Sequence, residues 1–258
     1  MPQDQEMPLP AILARADAPS IAYHYTEGRS PTIAFLGGFR SDMTGQKALA
    51  LEAFSRARGL SFLRFDYTGH GQSQGDFLDG TIETWRRDSL DALDRLTQGP
   101  LVLVGSSMGG WMMLLAALAR RERVAGLVGI AAAPDFTEEL MWPNMAPAVR
   151  AALMDKGVIY RPTAYSNDPY PITRGLIETG RRHRLLDRPI PLTCPVRLVH
   201  GMKDPDVPWQ TATRLAEKLE STDIAITLIK EGGHRLSEPD EIACIEAAVE
   251  ELVAKVLP

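Results

Sequence analysis

Apolar and polar positions follow two regimes along this chain. Short runs of apolar residues alternate with longer stretches whose apolar positions recur at helical spacing. Strands are predicted over residues 20–25, 32–36, 60–66, 101–104 and 124–131. Between them, helices are predicted over "GQKALALEAFSRARG", closed by Gly59, over 81–96, and over 107–120. The turn "TEGRSP" between the first two strands predicts an opening hairpin. From 135 to 191 the regularity lapses into Pro, Met and aromatic residues, with short helical pieces such as "PAVRAALMDKG". It then resumes with strands 196–200 and 224–229 and helices 208–219 and 240–256. Strands alternating with helices imply an α/β fold, a mostly parallel twisted sheet with helices on both faces. The irregular interval is too long for a connection, so 135–191 is expected to be a cap inserted into one domain spanning 1–258.

Composition narrows the class. With 258 residues, 45% of them hydrophobic, the chain is long enough for one sizeable core. No apolar run reaches the roughly 18 residues of a membrane span. A net charge of −5 offers no electrostatic footprint for nucleic acid. The opening "MPQDQEMPLPAILARADAPS" has no basic region followed by an apolar stretch, which predicts no secretion signal and a cytoplasmic protein. Cys194 and Cys244 have no metal-ligand spacing around them and are expected to be reduced thiols.

The chemistry concentrates in "LVLVGSSMGGWMML", residues 101–114. A strand that turns into a helix at one residue holds that residue strained and lifts its side chain clear. Bulk two positions away on either side would collide. With Ser107 at the turn the flanking residues are Gly105 and Gly109; with Ser106 they would be Val104 and Met108, which do not fit. Ser107 is therefore the candidate nucleophile, and Gly110 lets the helix lie close to the sheet. An alcohol needs a base, itself oriented by an acid. In the order Ser, acid, His, His24 and His70 come too early. His70, in "DYTGHGQSQG", is expected to hold its loop together, His200 to support a neighbouring turn, and His183 to be solvated. His234, in the loop of "KEGGHRLSEPDE" after the last predicted strand, is the candidate base. For the acid, Asp204 in "VHGMKDPDVPW" leads, with Asp135 after the preceding strand second. Asp206 is expected to cap the helix opening at Pro208.

The oxygen that becomes negative during attack needs N–H donors. The Met108 amide, just after the nucleophile, is one candidate; the Phe39 amide, in the glycine loop "FLGGFRSD", is the other. Trp111, Met141, Trp142 and Met145 are candidates for an acyl-pocket wall, although core filling is the plainer reading for Trp111 and its neighbours Met112 and Met113. Arg181, Arg182 and Arg184 form a basic stretch, for which a solvated face is the plainer reading and attraction of an anionic substrate the sharper one.

The elbow, Gly37–Gly38, "FDYTGHGQSQG" and "HGMKDPDVPW", in this order, resemble the α/β-hydrolase superfamily. "KALALEAF", "GSSMGGWMMLLAALAR" and "RPIPLTCPVRLVHGMKDPDVPW" are similar, more narrowly, to the abhydrolase-domain-containing protein 10 family and its bacterial members. That resemblance implies a palmitoyl-protein thioesterase or acyl-glucuronide esterase, and it puts nucleophile, acid and base on Ser107, Asp204 and His234. The expected function is hydrolysis of esters or thioesters of apolar acyl groups through an acyl-enzyme. No metal or cofactor is expected, the substrate being a small molecule or an acylated protein. Short-chain carboxylesterase or carbon–carbon bond hydrolase chemistry is the alternative, and a non-catalytic binding scaffold is disfavoured by the ordered Ser, Asp and His. The oligomeric state is not legible.

Overall fold

The computed structural model describes residues 8–163 and 167–256. It opens with β1 (Ala11–Leu13), β2 (Ile21–Thr26), β3 (Arg29–Leu36), α1 (Gln46–Ala57) and β4 (Leu60–Phe65). Then come α2 (Ile82–Leu96), β5 (Leu101–Ser106), α3 (Met108–Ala119) and β6 (Val124–Ile130). An insertion holds α4 (Pro147–Lys156), β7 (Val158–Arg161), β8 (Tyr170–Thr173) and α5 (Arg174–Arg182). The chain closes with β9 (Val196–Gly201), α6 (Gln210–Lys218), β10 (Ile224–Ile229) and α7 (Pro239–Val256).

Eight strands form one sheet in the order β1-β2-β4-β3-β5-β6-β9-β10. From β4 to β10 all neighbours are parallel; β2 runs against both β1 and β4. The central strand β5 is buried along its whole length, as its unbroken apolar run requires when both faces are covered. One face packs on α1 and α7 through Leu51, Phe54, Ile245, Val249 and Leu252. The other packs on α2 and α3 through Trp85, Leu93, Trp111 and Leu114. Thr81 caps α2 by accepting a hydrogen bond from the Thr84 amide at 3.1 Å, which satisfies one of the first-turn N–H groups.

The expected opening hairpin is not formed. β2 pairs with β4, and β3 lies on the far side of β4, between it and β5. The reason is burial: β3 is enclosed from Pro31 to Leu36 and needs a ladder on both edges, whereas β2 carries intermediate and exposed positions suited to the sheet margin. β1 carries too short an apolar pattern to have been predicted. α6 begins at Gln210 rather than Pro208.

The interval 135–191 is held to the sheet by polar staples. The Asp135 carboxylate accepts the Leu185 and Leu186 amides at 2.8–2.9 Å, and the Trp111 indole donates to the His183 carbonyl at 3.2 Å. Residues 137–141 form a wide helical turn against α5, where a side chain on Gly180 would meet Thr137. β7 and β8 pair as an antiparallel hairpin.

Candidate active site

The chain passes from β3 to β4 on one side and then to β5 on the other. The C-terminal ends of β3 and β5 therefore flank the point where strand order reverses, the place where α/β sheets hold ligands. Ser107 stands there. Its backbone is left-handed (φ 55, ψ −120), a region costly for a side chain, and α3 starts at the next residue. The flanking glycines are obligatory: a Cβ on Gly109 would lie 2.5 Å from the Gly37 carbonyl oxygen, and one on Gly105 would lie 2.7 Å from the Gly110 Cα. Gly110 packs α3 on the sheet's next connection, since its Cβ would be 2.5 Å from that of Ala132.

His234, in the loop after β10, reaches Ser107 Oγ with Nε2 at 3.0 Å and Asp204 Oδ2 with Nδ1 at 2.7 Å. An ionised carboxylate only accepts, so Nδ1 carries the ring proton and the lone pair of Nε2 faces the hydroxyl. The side chain of Asp204, after β9, is fully buried. Burial pushes its carboxyl upward, but hydrogen bonds from His200 and His234, the electrostatic attraction of the His234 ring and the Val207 amide outweigh it and hold Asp204 below the usual carboxylate range. Its Oδ1 accepts the Asp206 and Val207 amides at 2.8 and 2.9 Å. His200 approaches Oδ2 at 3.4 Å while donating to the Val207 carbonyl at 2.9 Å, so it supports the acid's turn as expected. Asp206 lines the cavity and does not cap α6, whose start has no side-chain cap.

The loop after β3 is built by Asp66, which local patterns did not single out, and by His70, expected to hold its own loop together. Asp66, after β4, accepts the Met43 and Gln72 amides at 2.6 and 2.8 Å. His70 Nε2 accepts the Arg40 amide at 3.2 Å, and its Nδ1 faces the Thr68 carbonyl. "DYTGHGQSQG" is thus the shelf on which residues 37–43 rest. Burial pushes His70 down to about 4, so its ring is neutral and its Nε2 free to accept. The Phe39 amide donates to no backbone acceptor among the described residues, and the Met108 amide is one of the first-turn donors that an α-helix leaves unmatched. The Phe39 ring packs edge-on against Phe77, Trp85, Phe136 and Tyr170 at 5.0–6.0 Å. From the other side, the Gln46 amide donates to the Ser237 carbonyl at 2.7 Å and the Lys47 ammonium to that of Arg235, anchoring the His234 loop to α1. Burial lowers Lys47 to about 8.

A cavity of about 800 Å³ opens over Ser107, Met108, Phe39 and His234. Its apolar wall comes from Ala133, Phe136, Leu140, Met141 and Ile172. Of the residues expected to wall an acyl pocket, Met141 lines this cavity. Trp111 is wholly buried in α3, Met145 is buried in the core, and Trp142 is covered by the guanidiniums of Arg150 and Arg181 at 5.3 and 4.4 Å. These three lie outside the cavity lining, Trp111 and Met145 because they fill the core and Trp142 because it packs under those two guanidiniums. Two arginines of the basic stretch are engaged, Arg181 with Glu138 and Arg184 with Glu139, and His183, expected to be solvated, pairs with Glu83.

A helix-covered, mostly parallel sheet carrying a strained serine, a histidine and a carboxylate on three strand-end loops defines a class, and the comparisons agree. The chain belongs to the α/β hydrolase family, whose profile matches residues 33–243, and it is a serine hydrolase. Human palmitoyl-protein thioesterase ABHD10, mitochondrial, is 41% identical over 246 residues, 95% of this chain and 80% of the human protein. The structure of mouse α/β hydrolase domain-containing protein 10 superposes with a TM-score of 0.89 at 39% identity, covering 96% of this chain and 99% of the mouse one. A putative hydrolase from Agrobacterium vitis S4 superposes with a TM-score of 0.91 at 40% identity, covering 96% and 100%. The cytoplasmic expectation is corrected here: the mammalian relatives are named as mitochondrial proteins. A targeting segment is a receptor-read address, separable from the fold, so the composition of the chain's opening was a weak guide to compartment.

Proposed function

We propose that this chain hydrolyses thioesters and esters of apolar acyl groups, with long-chain S-acyl substrates preferred, through an acyl-enzyme on Ser107. The observation that carries the reading is the continuous hydrogen-bonded line Asp204–His234–Ser107 opening into a cavity with an apolar wall. His234 Nε2 takes the Ser107 proton as Oγ attacks the acyl carbonyl carbon, and the carbonyl π electrons move to its oxygen. The Met108 and Phe39 amides hold that oxyanion, each such donor contributing about 3 kcal/mol. Collapse of the adduct expels the thiol or alcohol, which leaves with the proton returned by His234. Water, deprotonated by the same imidazole, attacks the Ser107 ester, and the acid departs as Oγ regains its proton. Asp204 keeps the proton on Nδ1 and stabilises the imidazolium.

The chain acts as one domain, with 135–191 as the cap that shapes the acyl side of the cavity. The volume lies within the roughly 300–1,000 Å³ of ligand pockets that bury most of their ligand. The names of the mammalian relatives, palmitoyl-protein thioesterases, favour the thioester over the oxyester. A series of S-acyl and O-acyl esters from two to sixteen carbons, compared by kcat/KM, tests this. Rising kcat/KM with chain length and a thioester preference are expected. A maximum at short oxyesters would replace the reading with a general carboxylesterase.

A further inference from the structure

Four cationic residues line the cavity; Lys47 and Arg235 lie together where the His234 loop meets α1, and Arg40 and Arg161 have no role in the cycle above. Arg40 and Arg161 both line the cavity that holds Ser107 and His234, and both are exposed. Arg40 is set in place with unusual care. Its backbone is left-handed (φ 58), which disfavours any side chain but glycine's absence of one, and its amide is held by the buried His70. Its guanidinium then lies 4.8 Å from the Phe77 ring centre and 5.5 Å from that of Tyr170. Arg161 is the register partner of the same Tyr170 across the β7–β8 hairpin. Two guanidinium-bearing residues therefore flank one aromatic ring in the cavity wall.

Among the described residues, neither Arg40 nor Arg161 forms an ion pair. Arg174, Arg181 and Arg184, in the same insertion, each have a glutamate. Asp42, also in the lining, has its Oδ1 occupied by the Thr44 amide and hydroxyl at 2.7 and 2.5 Å. The cavity is thus divided by chemistry. Phe136, Leu140, Met141 and Ile172 suit an acyl chain, where a buried charge would be costly, and the arginines suit what stays near solvent, the leaving group.

We infer that Arg40 and Arg161 form an anion subsite for a phosphate carried on the thiol leaving group. This rests on the acyl-transfer reading above. Two guanidiniums offer more donors than one carboxylate uses, whereas a phosphate monoester presents three acceptor oxygens and up to two charges.

The test compares kcat/KM for one acyl group on pantetheine, on 4′-phosphopantetheine and on 3-mercaptopropionate. The first two differ only by the phosphate. For the wild-type protein the phosphorylated thioester is expected to lead pantetheine by about tenfold at low salt, with the lead shrinking as salt rises. In Arg161→Gln and in Arg40→Gln the ratio should fall to about twofold or less. Because each ratio is taken within one protein, altered folding or altered basal rate cancels. A wild-type ratio near one, a ratio unchanged in both variants, or a lead held by the carboxylate ester instead would each overturn the subsite. Equal hydrolysis of all three would leave the acyl-enzyme reading standing; no hydrolysis of any would remove that reading too.

Discussion

Replacing Asp204 with asparagine probes the line of hydrogen bonds with little change of shape. The structure dictates how the new amide must sit. Oδ1 of Asp204 accepts two backbone N–H groups, from Asp206 and Val207, so only the asparagine oxygen can occupy that place. The NH₂ is then turned toward His234 Nδ1, where Oδ2 now lies at 2.7 Å. An NH₂ group only donates, so Nδ1 must accept and the ring proton moves to Nε2. That proton points at the Ser107 hydroxyl, which loses its base. A wrong tautomer in such an array lowers kcat on the order of 10⁴-fold, roughly 5 kcal/mol of transition-state stabilisation, while the oxyanion donors continue to act. Steady-state kinetics on a thioester should show that loss in kcat, with KM within a few-fold and near-ultraviolet circular dichroism unchanged. A folded Asp204→Asn protein with kcat within tenfold of wild type would refute the reasoning.

Asp135→Asn provides the contrast. With the asparagine oxygen in the place of Oδ2, which accepts both amides, the NH₂ is set against the Leu185 N–H, so the change should lower stability by about 1–3 kcal/mol in urea unfolding yet leave kcat within about threefold. His70 should make stability depend on acid. Its folded pKa of about 4 lies below the ordinary 6.5, so its contribution is complete above 6.5 and is lost as pH falls toward 4, roughly 3 kcal/mol in all. The difference in unfolding free energy between wild type and His70→Gln should shrink over that window, and a constant difference would rule the coupling out. Gly109→Ala should cost at least about 3 kcal/mol or prevent folding, because its new methyl meets the Gly37 carbonyl at 2.5 Å. Soluble Gly109→Ala protein with wild-type stability would contradict the packing described.

What was legible in the chain was what is short-range or follows from topology. Gly105, Ser107 and Gly109 lie within five residues, so the pattern is compact in sequence, although the collision that requires Gly109 is with the end of β3, at Leu36 and Gly37. The position of His234 followed from the rule that strand-end loops gather on one side of a parallel sheet. Strand pairing was not legible where it depended on competition: "TEGRSP" reads as a hairpin turn until β4 and β5 claim both edges of β3. Side chains acting over distance left no local trace. Lys47 meets the Arg235 carbonyl 188 positions away, and Gln46 meets that of Ser237 191 away. Trp111 and Met145 were apolar near the right place, yet periodicity could not tell a cavity wall from a core filled a few ångströms deeper.

The account depends most on a serine made nucleophilic by the imidazole 3.0 Å from it. Intact-protein and peptide mass spectrometry after treatment with a fluorophosphonate measures that directly. One adduct on Ser107 is expected, absent in Ser107→Ala and formed far more slowly in His234→Ala. Labelling that persists in Ser107→Ala, or that proceeds at the wild-type rate without His234, would contradict the account.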